Sequence, residues 1–260
     1  MYYLKSPLYV ILAVIGILLY SCSVETDHFE PDKQQKSTNS LRDGTPCFDL
    51  DYNDCGLIVD EVDKIIDLPN YCQIKATYKI YRCPQSGITI YTLELISWDF
   101  TSDCYSFLYN NIISCYQNCQ LDPDPYTCRI QCLSEAKRQL EMDLKRYIMD
   151  QYITTDDVPK MDAGDCGGQP IVLEGHFFED LCIQLCVNSN ADPGHQVIRK
   201  VCGDGCCTHI RYYCKDPGEE QPHFNFEVYY SSGLNCGSVI IQCDEGYELQ
   251  GDCTPLNCHP

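Results

Sequence analysis

Cysteine constrains this chain more than any other residue type, because its 260 residues contain 21 cysteines. Such a density is typical of domains stapled by disulfides, and disulfides persist in oxidising compartments. Zinc is the competing explanation of clustered cysteines, but the clusters lack the regular spacing of paired Cys-x2-Cys motifs. The sequence therefore predicts a disulfide framework outside the cytoplasm.

The N-terminus indicates how the chain leaves the cytoplasm. Lys5 precedes an uncharged apolar run at 8–20, which as a helix spans about 20 Å and falls short of the roughly 30 Å hydrocarbon core. This pattern is typical of a signal peptide. Residues 18–22, Leu-Leu-Tyr-Ser-Cys, resemble the lipobox of bacterial lipoproteins. The resemblance implies that 1–21 is a lipoprotein signal peptide and that Cys22 carries the lipid, whereas a secretory signal with a chance cysteine is the alternative.

The parity of the cysteines agrees with a lipid on Cys22. Assigning that residue to lipid leaves an even number of cysteines, all of which can pair. Residues 22–45 are polar and lack apolar periodicity, which predicts a flexible tether. We therefore expect a lipid-anchored protein of the bacterial cell envelope, in the outer membrane, with its periplasmic or external placement left open.

The charge of the chain limits its partners. The formal net charge is −20 at pH 7. Nucleic acids need basic surfaces to neutralise their phosphates, and anionic lipid headgroups attract basic segments. The composition therefore excludes nucleic acid and permits a cation or a basic partner.

The order of patterns along the chain predicts an α+β fold. Two β-rich disulfide modules are expected at 46–104 and 166–260, with a helical hairpin at 105–153 and a linker at 154–165 between them. The clearest strand is Gln73–Tyr81, in which apolar and polar residues alternate. Further strands are expected at 88–98, 196–201, 208–213, 224–230 and 238–242.

Cysteine spacing suggests that the two modules are related. Cys55, Cys72, Cys83 and Cys104 are separated by 17, 11 and 21 positions, whereas Cys186, Cys202, Cys214 and Cys236 are separated by 16, 12 and 22. The spacing predicts equivalent bridges and the same strand order in both modules.

The hairpin is the segment in which the sequence constrains geometry most. Helical patterns at 101–120 and 126–152 each carry a Cys-x3-Cys pair, which places both sulfurs of a pair on one helix face. The arrangement resembles the twin Cys-x3-Cys hairpins of small disulfide proteins. Antiparallel helices then predict two bridges, Cys115–Cys132 and Cys119–Cys128.

The ends and the core of the hairpin are also predictable. Asp124 is a candidate N-cap, and Pro125 suits the first turn of the second helix. The apolar side chains expected to meet between the helices are Leu133, Leu140 and Leu144 on one side and Phe107, Leu108 and Ile112 on the other.

Motifs for catalysis or metal binding are weak. The segment 202–209, Cys-Gly-Asp-Gly-Cys-Cys-Thr-His, favours a glycine turn holding bridges over a redox or metal cluster. The acidic stretch 49–60 resembles a calcium loop, but Asp54 replaces its glycine and Asp60 its terminal glutamate. We expect no catalytic residue, metal or cofactor.

These observations together predict a non-catalytic, disulfide-stapled ectodomain with a role in surface recognition or envelope structure. The 20 tyrosines could supply a contact surface for an extracellular protein or a glycan. An extracytoplasmic hydrolase that uses paired carboxylates is the alternative from another class, and a calcium-dependent binding module is the third hypothesis.

Overall fold

A computed structural model describes residues 35–36, 55–69, 72–85, 88–100, 105–167, 173–188, 196–232, 235–237 and 241–258. The predictions for Cys22, for residues 49–54 of the acidic stretch and for the tether lie outside these residues, except at Gln35–Lys36 of the tether, which form a short strand. So do those for Cys104 and for the side chains of Phe107 and Leu108.

The described residues form ten strands and three helices. The strands are β1 (Gln35–Lys36), β2 (Gly56–Asp67), β3 (Gln73–Gln85), β4 (Ile88–Phe100), β5 (Leu173–Asp180), β6 (Cys182–Asn188), β7 (Gln196–Val201), β8 (Cys206–Cys214), β9 (His223–Ser232) and β10 (Glu248–Pro255). The helices are α1 (Tyr105–Cys119), α2 (Pro125–Thr155) and α3 (Asp157–Asp162).

The strands are arranged in two sheets. The main sheet has the order β2-β3-β4-β5-β8-β9, with β1 paired to β4, and the small sheet has the order β10-β6-β7. All pairs are antiparallel except β4 with β5. Parallel neighbours need a long crossover connection, and the three helices lie within it. The predicted α+β class is confirmed.

The main core lies between the helices and one face of the main sheet. Its fully buried side chains include Tyr91 and Phe177 from the sheet and Leu144 and Met149 from α2. The helix packs closely on the sheet at Gly175, where a Cβ atom would lie 2.8 Å from Cγ of Met149. A side chain at this position would therefore push α2 away from β5.

The helical hairpin has the geometry that the sequence predicts. Disulfides join Cys115 to Cys132 and Cys119 to Cys128, with Cα separations of 6.0 and 5.6 Å. Asp124 caps α2, since its carboxylate accepts a hydrogen bond from the backbone N–H of Thr127 at 3.2 Å. Pro125 occupies the first turn of α2. The expected core residues Ile112, Leu133, Leu140 and Leu144 are all buried.

Most predicted strands are present. In β3 the side chains of Ile74, Ala76 and Ile80 are buried and that of Lys75 is exposed, as alternation requires. The strand expected at 238–242 is different: residues 241–242 belong to no strand, and the others lie outside the described residues.

The predicted equivalence of the two modules is wrong. Cys55 bonds Cys83, so the equivalent bridge would join Cys186 to Cys214. Instead, Cys186 bonds Cys243 and Cys214 bonds Cys166. The strands differ as well, because β2, β3 and β4 form one meander whereas β6 and β7 leave the main sheet for the small one. With so many cysteines, similar spacings arise without a shared fold.

The segment predicted as a linker, 154–165, is largely helical. Helix α2 continues to Thr155, and α3 follows at once from an N-cap at Asp156. The Asp156 carboxylate accepts a hydrogen bond from the backbone N–H of Val158 at 2.9 Å. The aspartates in this segment therefore begin and anchor a short helix, which composition alone does not reveal.

Candidate functional site

Helix α2 places charged side chains on its sheet-facing side. Arg138, Glu141 and Lys145 follow one another at spacings of three and four residues, which puts them on one helix face. Together with strand residues they form a set of buried and half-buried side chains that we term the ion-pair layer. Its members are Arg138, Glu141, Lys145, Arg146 and Asp150 on α2, Glu179 on β5, Arg199 on β7, His209 and Arg211 on β8, and Glu227 on β9.

Glu179 is the most deeply buried carboxylate of the layer, with 5% of its side chain exposed. The Arg138 guanidinium donates to both of its oxygens, through Nε to Oε1 and through Nη2 to Oε2 at 2.9 Å. Burial alone would raise the pKa of Glu179, but His209 and Arg138 outweigh it and lower the pKa to about 2. Glu179 is therefore a permanent carboxylate at neutral pH.

His209 lies between two carboxylates. Its Nδ1 is 3.3 Å from Oε1 of Glu227, and its Nε2 is 3.8 Å from Oε2 of Glu179, beyond hydrogen-bond length. The ring stacks on Phe177 at a centroid distance of 4.9 Å and is met edge-on by Tyr229. Nε2 is buried without a hydrogen-bond partner. The imidazole ring is therefore packed between aromatic side chains, and it is Nδ1 that pairs with a carboxylate.

Arg211 organises the other end of the layer. Its guanidinium binds Asp150 through Nε and Nη2, both at 3.0 Å, and Glu227 through Nη1 at 2.7 Å. The Tyr213 hydroxyl donates to Asp150 at 2.6 Å, and the Phe224 ring lies 3.9 Å from the guanidinium carbon. Burial and the Asp150 carboxylate raise the pKa of Tyr213 well above its usual value. This hydroxyl stays protonated as a hydrogen-bond donor.

The chemistry of the layer argues against its use as a pair of catalytic carboxylates. A glycosidase-type general acid needs a carboxyl group whose pKa is raised. Burial would raise the pKa of Glu227, but His209, Arg146 and Arg211 lower it, and the pKa of Glu179 is lowered too. Both groups act as internal counter-ions that fix α2 on the sheet.

A second, half-buried cluster joins α3 to the main sheet. Arg82 binds Asp162 with two hydrogen bonds of 2.9 Å, and the Tyr91 hydroxyl donates to the same carboxylate at 2.7 Å. Burial would raise the pKa of Asp162, but Arg82 and Tyr91 lower it. The cluster ties the end of the crossover to β3 and β4, so its role is also structural.

Among the described residues, three groups of side chains bring possible metal ligands within 4.8 Å of one another. Two of them rely on the sulfurs of Cys115, Cys119 and Cys132 or of Cys166 and Cys214, which are disulfide-bonded and cannot act as thiolates. The third consists of Asp216 and Glu219 in the turn before β9, whose carboxylates are exposed, and of His223 at the start of β9. Such a surface group could accept a divalent cation, but it is also an ordinary solvated turn.

The glycine-rich segment 202–209 is the turn that the sequence favours. Cys202 bonds Cys253, Cys207 bonds Cys258, and Cys206 is also disulfide-bonded. A Cβ atom at Gly203 would lie 2.4 Å from the carbonyl oxygen of Asn235, so only glycine fits there. Every cysteine among the described residues is bonded, which leaves this part of the chain without a thiol for redox chemistry.

The exposed apolar side chains are concentrated on the two edge strands of the main sheet. Eleven large apolar side chains are exposed among the described residues, and seven of them lie on β2 or β9. We term the first set the β2 edge, Leu57, Ile58, Val62 and Ile65, and the second the β9 edge, Phe224, Phe226 and Tyr230. Both surfaces are exposed to solvent when the folded chain has no partner.

Sequence reasoning missed the ion-pair layer and the β2 edge. The layer joins residues far apart in the chain, and no motif marks it. For β2 a signal existed, the aliphatic run Leu57-Ile58-Val59 followed by Val62 and Ile65, but acidic residues interrupt its alternation.

No helix in the described part of the chain is long and apolar enough to span a membrane. No family model, curated protein or solved structure matches the chain.

Proposed function

We propose that this chain is a lipid-anchored protein of a bacterial cell envelope, attached through Cys22, whose disulfide-stapled domain binds an extracellular protein. The extracytoplasmic location is supported by the bonding of every described cysteine. The anchor is supported by the resemblance of residues 18–22 to a lipobox and by the parity of the cysteines.

The observation that carries the binding role is the placement of exposed apolar side chains on the sheet edges. Monomeric proteins rarely cluster such side chains without a use for them. An edge strand adds a row of backbone donors and acceptors, which a polypeptide can pair with and a glycan matches poorly. A protein ligand is therefore favoured over a glycan.

The internal electrostatics support binding over hydrolysis. Among the described carboxyl groups with a shifted pKa, which are Asp124, Glu141, Asp162, Glu179 and Glu227, every shift is downward. A hydrolase of the paired-carboxylate class needs one carboxyl group shifted upward to donate a proton.

The anchor is tested by fatty-acid labelling of cells that express the full chain. Cys22→Ala should abolish the label and release the protein into the soluble fraction, because no thiol remains at the expected acylation site. Ser21→Ala is the matched control, since it keeps the cysteine and a small residue before it, and should retain the label. Label that persists in Cys22→Ala would contradict the anchor.

A further inference from the structure

We infer that the β2 edge binds a short, extended, basic segment of a partner protein, which adds to the main sheet as an antiparallel or parallel strand beside β2. This inference rests on the proposed function, because it names the surface and the chemistry of the protein that the ectodomain binds.

The first argument is the position of β2. It ends the main sheet, and among the described residues only β3 pairs with it. At 12 residues it is longer than an average strand. Its backbone N–H and C=O groups on the side away from β3 can therefore accept a further strand.

The second argument is that four large apolar side chains of β2 are left exposed to water. Leu57, Ile58, Val62 and Ile65 are 48%, 39%, 69% and 59% exposed. The other edge differs, because its aromatic rings already have partners in the same sheet. Phe226 stacks on Tyr212 at 4.5 Å, and Phe224 lies against the guanidinium of Arg211. A ligand would therefore cover more unpaired apolar surface at the β2 edge than at the β9 edge.

The third argument is charge, which selects the ligand. The strand carries four acidic residues and one lysine: Asp60, Glu61, Asp63, Asp67 and Lys64. Lys64 lies 3.4 Å from Glu61, and Lys75 of β3 lies 3.0 Å from Asp63. The edge remains net acidic after these pairs, in a chain of net charge −20. A basic segment is attracted to it, and like charges across a new strand pair would oppose a second copy of this chain.

The fourth argument is a bulge that limits what can dock. The register of β2 with β3 shifts between Leu57 and Val59 and again between Glu61 and Lys64, and at the second shift Asp63 has a φ of 55°. The Thr77 hydroxyl accepts a hydrogen bond from the backbone N–H of Asp63 at 3.2 Å, which holds this conformation. Bulges blunt edges against long, flat pairing between identical chains and re-aim side chains. Here the bulge includes Val62, the most exposed side chain of the edge, so the partner segment is expected to be short.

The inference is tested with the purified full chain and a labelled octapeptide of alternating valine and lysine, by fluorescence anisotropy. Binding should be seen with the wild type. The double variant Val62→Lys, Ile65→Lys should weaken it at least tenfold, because it removes apolar contacts and reverses the local charge. Leu249→Lys, which changes a similarly exposed residue on β10, should leave it within twofold.

Two further measurements separate strand addition from general attraction between charges. A peptide of the same sequence with every backbone nitrogen methylated should lose most of its affinity, since neither of its edges can then donate hydrogen bonds to β2. Equal binding of the methylated peptide would overturn the inference, and so would absence of binding to the wild type.

Analytical ultracentrifugation tests whether a second copy of this chain occupies the β2 edge. A wild-type dimer that Val62→Lys converts to a monomer would assign the edge to a second copy and overturn the inference. A wild-type monomer supports it. None of these results depends on the lipid, so failure here leaves the fatty-acid labelling of Cys22 as a separate test of the proposed function.

Discussion

The first and last parts of the main sheet are held together in different ways. The meander β2-β3-β4 packs aliphatic and aromatic side chains against α2, including Ile74, Ile80 and Leu93. The strands from β5 onward instead contribute the charged residues that pair with those of α2 in the ion-pair layer. They also hold five of the eight disulfides whose two cysteines are both described. Only Cys55–Cys83 among these eight lies within the meander.

The difference follows from how much apolar surface each part can bury. Strands β5 to β8 also contribute side chains such as Phe177 and Tyr213 to the main core. Away from that core, the apolar cluster described in the C-terminal part is small and consists of Leu181, Cys207 and Cys258, with Tyr229 and Leu256 against it. Small structures with little core depend on cross-links. The five C-terminal bridges close loops of 48–57 residues in sequence separation, and long loops are where a cross-link restricts the unfolded chain most.

The largest expected effect is the loss of one partner in the ion-pair layer. Arg138→Met leaves the Glu179 carboxylate buried with fewer donors, and breaking a buried pair in this way costs about 3–5 kcal/mol of unfolding free energy. Denaturant unfolding with the disulfides intact measures it. The double variant Arg138→Met, Glu179→Gln should recover part of the loss because no unpaired charge remains. A double variant no more stable than the single one would show that the pair is not the cause.

The second largest effect is expected from removing one of the C-terminal disulfides. Replacing both Cys202 and Cys253 by serine should lower the unfolding free energy by about 2–4 kcal/mol, because the unfolded chain regains the freedom of a long loop. Hydrogen exchange should locate the added opening in β6, β7 and β10. Opening spread equally over β3 and β4 would contradict the division of the molecule into a packed part and a stapled part.

Acid should also act on the ion-pair layer. The pKa of Glu179 is about 2 in the folded protein, whereas the ordinary value that applies to the unfolded chain is 4.5. This difference corresponds to roughly 3 kcal/mol of unfolding free energy at neutral pH. Because the folded pKa is the lower one, this stability is present above about pH 5 and is lost as the pH falls towards 2. Unfolding free energies at pH 7 and pH 3 should therefore differ less in Glu179→Gln than in the wild type. If the two pH values give the same difference in unfolding free energy in the variant as in the wild type, Glu179 does not cause the acid sensitivity.

Local patterns made part of this architecture predictable from sequence. The hairpin bridges follow from two Cys-x3-Cys pairs and a short turn, since cysteines 9 and 17 residues apart leave few arrangements. The alternation in β3 and the cap at Asp124 are equally local.

The remaining features depend on contacts that no local pattern encodes. Glu179 meets Arg138 across 41 residues, and Asp162 meets Arg82 across 80. With 38 acidic residues in the chain, no pair stands out before the fold brings it together. The bulge in β2 hid that strand for another reason, because one extra residue shifts the alternation of faces on which strand recognition depends.

The smallest expected effect concerns the junction between the two parts, where Asp162 holds α3 on the meander. Asp162→Asn keeps an acceptor for the Tyr91 hydroxyl but removes the ion pair with Arg82, whose side chain is 36% exposed and thus partly screened by solvent. We therefore expect a loss of about 1 kcal/mol in unfolding free energy and faster hydrogen exchange in 157–162. Asp157→Asn is the matched control in the same helix, because its carboxylate is 93% exposed and pairs only with Lys160, and it should change neither measurement. If both variants behave alike, the Arg82 contact does not hold α3, and the crossover is fixed by its apolar packing alone.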